Sequence, residues 1–161
     1  MPVIKRTAIE RQWHNEIDVF ENVAGSTHCG AVACDREVLM NLHQFNKEQT
    51  ANRTDCPVDG DPGVDPDRWR GKWIAPIGLL DDFHRFGLLW RPGSLQWFLD
   101  GRVIRTVNSS CFSVEPLNLV LDLEADGFVW GSEEEALREL PRSFEIDYVR
   151  SWTQNSVAAE T

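Results

Sequence analysis

Apolar and polar side chains alternate with period two along most of the chain, as a strand with one buried and one open face requires. In "EIDVFENV" (16–23) Glu16 and Asp18 fall on one face and Ile17 and Val19 on the other. The segments 37–45, 83–90, 95–100, 102–107, 117–125 and 144–152 read the same way and are rich in β-branched and aromatic residues. Between 95–100 and 102–107, Asp100-Gly101 supplies the positive φ angles of a two-residue type I′ turn, so these two strands are predicted to pair directly. "SEEEALREL" (132–140) departs from the alternation. Ser132 and Glu135 stand at capping-box spacing and Pro141 follows, which predicts a short surface helix. Residues 46–73, rich in Asp, Pro and Gly, read as one long loop of the kind that often binds ligands. Seven or more strands in one modest domain predict an all-β fold, a β-sandwich or jelly roll, with an up-and-down barrel as the alternative.

Composition narrows this picture. A chain of 161 residues with 42% hydrophobic content can bury one sizeable core, so 1–161 is expected to be a single domain, with 1–12 and 153–161 poorly ordered. Its formal net charge of -10 repels phosphate backbones and anionic lipid, which argues against nucleic-acid and membrane partners. No segment approaches the ~18 apolar residues of a membrane span, and the N-terminus lacks the apolar stretch of an export signal. A monomer is expected. Cys29, Cys34, Cys56 and Cys111 lack the paired spacing of a zinc site, and read as ordinary thiols, or as one bridge if the protein is exported.

Candidate chemistry centres on Glu16, Asp18 and Glu21. Like charges at neighbouring same-face positions destabilise an ordinary surface. The bland explanation is a solvent-facing acidic edge. The functional one is glycoside hydrolysis, in which two carboxyl groups about 5 Å apart act as nucleophile and acid/base. Geometry opposes the second: in a regular strand residue 21 points away from 16 and 18. A β-bulge at Val19-Phe20 would restore it, and is therefore predicted. The echo "EIDYVR" (145–150) has no third acid and cannot supply such a pair.

At this point the sequence resembles glycoside hydrolase family 16, whose signature Glu-Ile-Asp-x-x-Glu is matched by "NEIDVFE". "DDFHRFGLLWRPGSLQWFLDGRVIRT" (81–106) is similar to that family's Phe-His-x-Tyr-x-x-x-Trp segment and Trp-Tyr-Val-Asp-Gly hairpin. "LMNLHQF" is similar to its His-bearing strand, and "FEIDYVRSW" to its final strand. The resemblance implies a jelly-roll β-sandwich and retaining endo-hydrolysis of a β-linked polysaccharide, with no cofactor required. It makes Glu16 the nucleophile, Glu21 the general acid/base, and Asp18 the residue that orients the nucleophile.

By the same resemblance His43 falls where the family places a cleft histidine, the alternative being a half-buried strand histidine; His84 also matches a family position but is expected to be structural. Trp13 and Trp130 are candidates for stacking on sugar faces, whereas Trp90, Trp97 and Trp152 are expected in the core. Glu124 tilts the substrate towards marine galactans such as agar or porphyran, with β-1,3-glucan the competitor. Arg53, Arg68, Arg70 and Lys72 could meet a sulfated sugar. Asp147 corresponds to a ligand of a possible structural calcium. Family members are secreted or periplasmic. The resemblance runs from about residue 13 to 152, so the chain is expected to be the C-terminal part of the catalytic domain, lacking the N-terminal strands. The alternatives are a non-catalytic carbohydrate-binding relative or an inactive truncated remnant.

Overall fold

The computed structural model describes residues 15–22, 34–44, 56, 69–112, 116–123, 141 and 143–153. They belong to two compact units, Met1–Leu119 and Val120–Thr161. Among the described residues seven strands lie in the first, and their pairings are antiparallel: β1 (Glu16–Ile17), β2 (Glu37–Leu39), β3 (Leu42–His43), β4 (Lys72–Ile74), β5 (Phe86–Arg91), β6 (Ser94–Leu99) and β7 (Arg102–Asn108). The fold is all-β, in keeping with a jelly-roll β-sandwich; the only helical turn among the described residues is a 3-10 turn at Cys34–Arg36.

β2 and β3 are two parts of one run, 37–43, with neighbours on both sides. β3 pairs with β1, Glu16 opposite His43 and Ile17 opposite Leu42. β2 pairs with β4, Val38 opposite Trp73, and the Met40 N–H continues this edge by donating to Gly71 O at 2.8 Å. Along the run, burial alternates strictly: Val38, Met40, Leu42 and Gln44 are buried, while Glu37, Leu39, Asn41 and His43 are partly open. One face is core and the other is free for chemistry.

β5, β6 and β7 form a meander joined by two tight turns. Pro92-Gly93 closes the first with Gly93 at φ 77°, and Asp100-Gly101 closes the second with φ of 49° and 81°. The second is the predicted type I′ turn, whose two positive φ angles match the twist of the paired strands. Leu95, Trp97 and Leu99 of β6 are buried and cluster with Val38, Met40 and Leu42. The meander is also bonded to the 37–43 run. The Arg105 guanidinium lies 4.8 Å from the centre of the Trp97 ring, donates to Trp69 O at 2.8 Å, and reaches Met40 O as well.

Cys56 and Cys111 form a disulfide across 55 residues of sequence, and Cys34 is disulfide-bonded too. Cys34, Cys56 and Cys111 are therefore not the ordinary thiols expected, and they take part in more than the one bridge allowed for an exported protein. Of the three tryptophans expected in the core, Trp97 is fully buried, but Trp90 is 36% exposed and Trp152 81%. Trp90 sits opposite Leu95 at the turn end of its hairpin, where neighbours cover it only in part.

In the second unit the described residues are exposed, and the Arg150 guanidinium lies 4.4 Å from the centre of the Tyr148 ring. The strands predicted at 117–125 and 144–152 carry no ladder among the described residues 117–123 and 144–152. Alternation reports two faces, but a strand also needs a backbone neighbour for its N–H and C=O groups, which alternation cannot supply. The helix predicted at 132–140, residues 1–12 and residues 154–161 lie outside the described residues, as does 46–68 apart from Cys56.

Candidate active site

The acidic segment begins as a regular strand and then gains a residue. Beyond the Glu16–His43 and Ile17–Leu42 pairs, the Asp18 N–H donates to Asn41 O at 3.0 Å. The next pairing is between Glu21 and Leu39, each donating its N–H to the other's carbonyl at 3.0 Å. From 18 to 21 is three steps along one chain, facing two steps from 41 to 39 on the other. The extra residue falls at Val19-Phe20, and it is a β-bulge.

The bulge decides which way Glu21 faces. Cross-strand partners share a face, so Glu16 stands with His43, Asp18 with Asn41 and Glu21 with Leu39, all on the face opposite Val38, Met40 and Leu42. Phe20, displaced to the other side, packs on the core with its ring 3.9 Å from that of Phe86. The Trp97 indole N–H donates to Asp18 O at 2.9 Å and fixes the strand from behind.

Within this face Glu16 is exposed, whereas Asp18 and Glu21 are partly buried. His43 Nε2 lies 3.5 Å from Asp18 Oδ2. Burial raises the Glu21 pKa above the ordinary glutamate value. The Asp18 charge raises it further and Glu16 adds a little, against a hydrogen bond from Asn41 and the attraction of His43. A carboxyl group whose proton affinity is raised beside other carboxylates is suited to the work of a general acid.

Four of the residues singled out in the sequence, Glu16, Asp18, Glu21 and His43, thus come together. Trp13, Glu124 and Trp130 lie outside the described residues. Asp147 is exposed in the second unit, and among the described residues no group of three His, Cys, Asp or Glu side chains could hold a metal ion. Lys72, on the same face by register, pairs with Glu37. His84, expected to be structural, has its Nδ1 2.8 Å from Asp100 Oδ2 at the base of the hairpin turn. Burial there pushes the Asp100 carboxyl up, but the Arg85 backbone N–H and His84 outweigh it and hold the pKa below the usual value.

The residue overlooked in the sequence is Asn41. Its Nδ2 donates to Glu21 Oε2, and its Oδ1 accepts from the Gly71 N–H at 3.4 Å. The signal was present: 41 and 43 share a face by alternation, and 41 falls between the partners of the acids.

A family model described as glycosyl hydrolases family 16 matches residues 3–123. Among curated proteins, a glucan endo-1,3-beta-glucosidase of Cryptopygus antarcticus is 34% identical over 53% of this chain and 37% of its own length. A beta-agarase of Phocaeicola plebeius is 25% identical over 86% of this chain and 46% of its own. A kappa-carrageenase of Pseudoalteromonas carrageenovora is 26% identical over 88% of this chain and 34% of its own. The aligned stretches thus cover between a third and a half of these relatives. No solved structure matches the chain significantly.

Proposed function

The chain belongs to glycosyl hydrolases family 16, and we propose that it is a retaining endo-glycosidase that hydrolyses a β-linked polysaccharide by double displacement. The observation that carries this reading is the bulge, which sets Glu21 on the same face as Glu16 and Asp18. In the first step a Glu16 carboxylate oxygen bonds to the anomeric carbon as the glycosidic C–O bond breaks, and the proton of Glu21 passes to the leaving oxygen. In the second, Glu21 takes a proton from water, whose oxygen bonds to the anomeric carbon and releases Glu16. Asp18, close to His43, holds the row of charges in place between them. The two carboxyl groups do this work without a cofactor.

The substrate is a neutral or sulfated β-glycan, either β-1,3-glucan or a marine galactan such as agar or carrageenan, the kinds named for the relatives, or porphyran. The protein works outside the cytoplasm, a location supported by its disulfides, which persist in oxidising compartments. The test is release of reducing ends from laminarin, agarose, porphyran and κ-carrageenan by the wild type and by Glu16→Gln and Glu21→Gln, with proton NMR of the first-formed anomer. Hydrolysis with retention, lost in both variants, is expected. Full activity of Glu16→Gln would sink the scheme, and glycan binding without hydrolysis would make the protein a carbohydrate-binding relative.

A further inference from the structure

The bulge brings Glu21 to the reactive face but does not by itself say which carboxyl oxygen carries the proton. The Asn41 side chain does. It occupies the middle of the three-stranded arrangement, flanked by the Asp18 edge on one side and Gly71 on the other. The Gly71 backbone N–H is only a donor, so it must meet the amide oxygen of Asn41. The amide nitrogen is thereby turned to Glu21. The flipped amide would set donor against donor at Gly71 and oxygen against oxygen at Glu21. Gly71 can come this close because it has no side chain: a Cβ there would collide with the Arg105 guanidinium, which is itself tied to Met40 O and Trp69 O.

We propose that Asn41 is a positioning residue for Glu21: by donating to Oε2, it confines the transferable proton to Oε1 and fixes which oxygen faces the glycosidic bond. This rests on the reading of Glu21 as the general acid/base. In the first step the Oε1–H bond breaks and the leaving glycosidic oxygen gains the proton, while Oε2 keeps its amide hydrogen bond throughout. In the second step the water proton returns to Oε1. The charged groups bearing on Glu21 are Asp18 and Glu16 from its own segment and His43 from β3, with the Glu37–Lys72 pair further along the same face. Asn41 is the neutral donor that favours the ionised form against burial and the Asp18 charge, so that the carboxyl can give up its proton as well as hold it.

The experiment is a carbon-13 NMR titration of the Glu21 carboxyl in the full chain, read beside the nitrogen-15 signals of the Asn41 side-chain amide. In the wild type the two should move through one midpoint, with unequal shifts of the two amide protons because only one meets Oε2. In Asn41→Ala the Glu21 midpoint should rise. The basic limb of the kcat/KM profile on a hydrolysed glycan should rise with it, and kcat should fall about tenfold with little change in KM, the size expected for losing a hydrogen bond to a charged group. Asn41 amide signals that ignore the titration of Glu21, or a folded Asn41→Ala with an unmoved midpoint, would overturn the proposal. The wild-type titration decides the matter even where the variant fails to fold. A wild type that hydrolyses none of the four glycans defeats the proposed reaction and leaves the NMR result to judge the hydrogen bond.

Discussion

Deletion of Val19 is the sharpest perturbation of the site, because the bulge contains one residue too many and the deletion removes one. Three steps from Asp18 to Glu21 face two from Asn41 to Leu39. Without Val19, two steps face two, the ladder becomes regular, and Glu21 still stands opposite Leu39 on the reactive face. Phe20 takes the intervening position, which points to the core side where its ring already packs on Phe86. The deletion should therefore retain activity within about tenfold of the wild type, a small loss beside the 100- to 10,000-fold at stake when a general acid is removed.

Insertion of one alanine between Val19 and Phe20 is the opposite case. With the bulge otherwise unchanged, Glu21 would move on to face Val38, a position with no solvent exposure. An uncompensated carboxylate there costs on the order of 4 kcal/mol, or about 10 °C in Tm for a chain of this size, and activity should fall by the full general-acid factor. Reducing-end release and thermal unfolding followed by tryptophan fluorescence read both effects, and the Glu21 carboxyl titration reports its surroundings independently of turnover. The reasoning is refuted by an insertion that leaves rate and stability alone, or by a folded deletion as inactive as Glu21→Gln.

Three further outcomes are expected. Glu21→Gln should abolish hydrolysis yet raise Tm at pH 7. The folded-state pKa of Glu21 lies above its unfolded value, so the wild type loses stability as pH rises through that window, and the gain in the variant should shrink towards acid pH when Tm is measured from pH 4 to 8. Cys56→Ser/Cys111→Ser removes a cross-link across 55 residues, worth about 4 kcal/mol by loop-closure entropy; Tm should fall by about 10 °C, and equal unfolding curves for the variant and wild type would show that the bridge does not constrain the unfolded chain. Gly101→Ala should cost about 1 kcal/mol in urea unfolding, since φ is 81° and nothing lies within 4 Å of the added Cβ, which leaves backbone strain as the whole effect.

How much of this was legible in the sequence depended on whether a feature is local. The Asp100-Gly101 turn was legible because two residues dictate their own φ angles, and the strands it joins follow from it. The bulge was legible by contradiction: three acids with a chemical reason to face one way stood at positions that a regular strand sends apart. Asn41 was not noticed because its value depends on Gly71, 30 residues away in sequence, which fixes the orientation of its amide. The strands expected at 117–125 and 144–152 show no ladder among their described residues for the same kind of reason. Their alternation is real, but pairing belongs to a neighbour, and the described residues supply none.

An acidic strand becomes a pair of carboxyl groups with different tasks only if its members stand at different depths, since burial is what separates the proton affinities of like groups. Here the depth comes from the sheet's other face. Val38, Met40 and Leu42 pack beneath the run and the Trp97 indole N–H holds Asp18 O from behind, and on the open face Glu21 is partly buried while Glu16 is exposed to water. Burial and the Asp18 charge raise the proton affinity of Glu21, and the hydrogen bond from Asn41 offsets part of that rise. The proposed acid/base and nucleophile are thus told apart by burial and by one amide, and exchanging their depths, rather than their chemistry, would exchange their tasks.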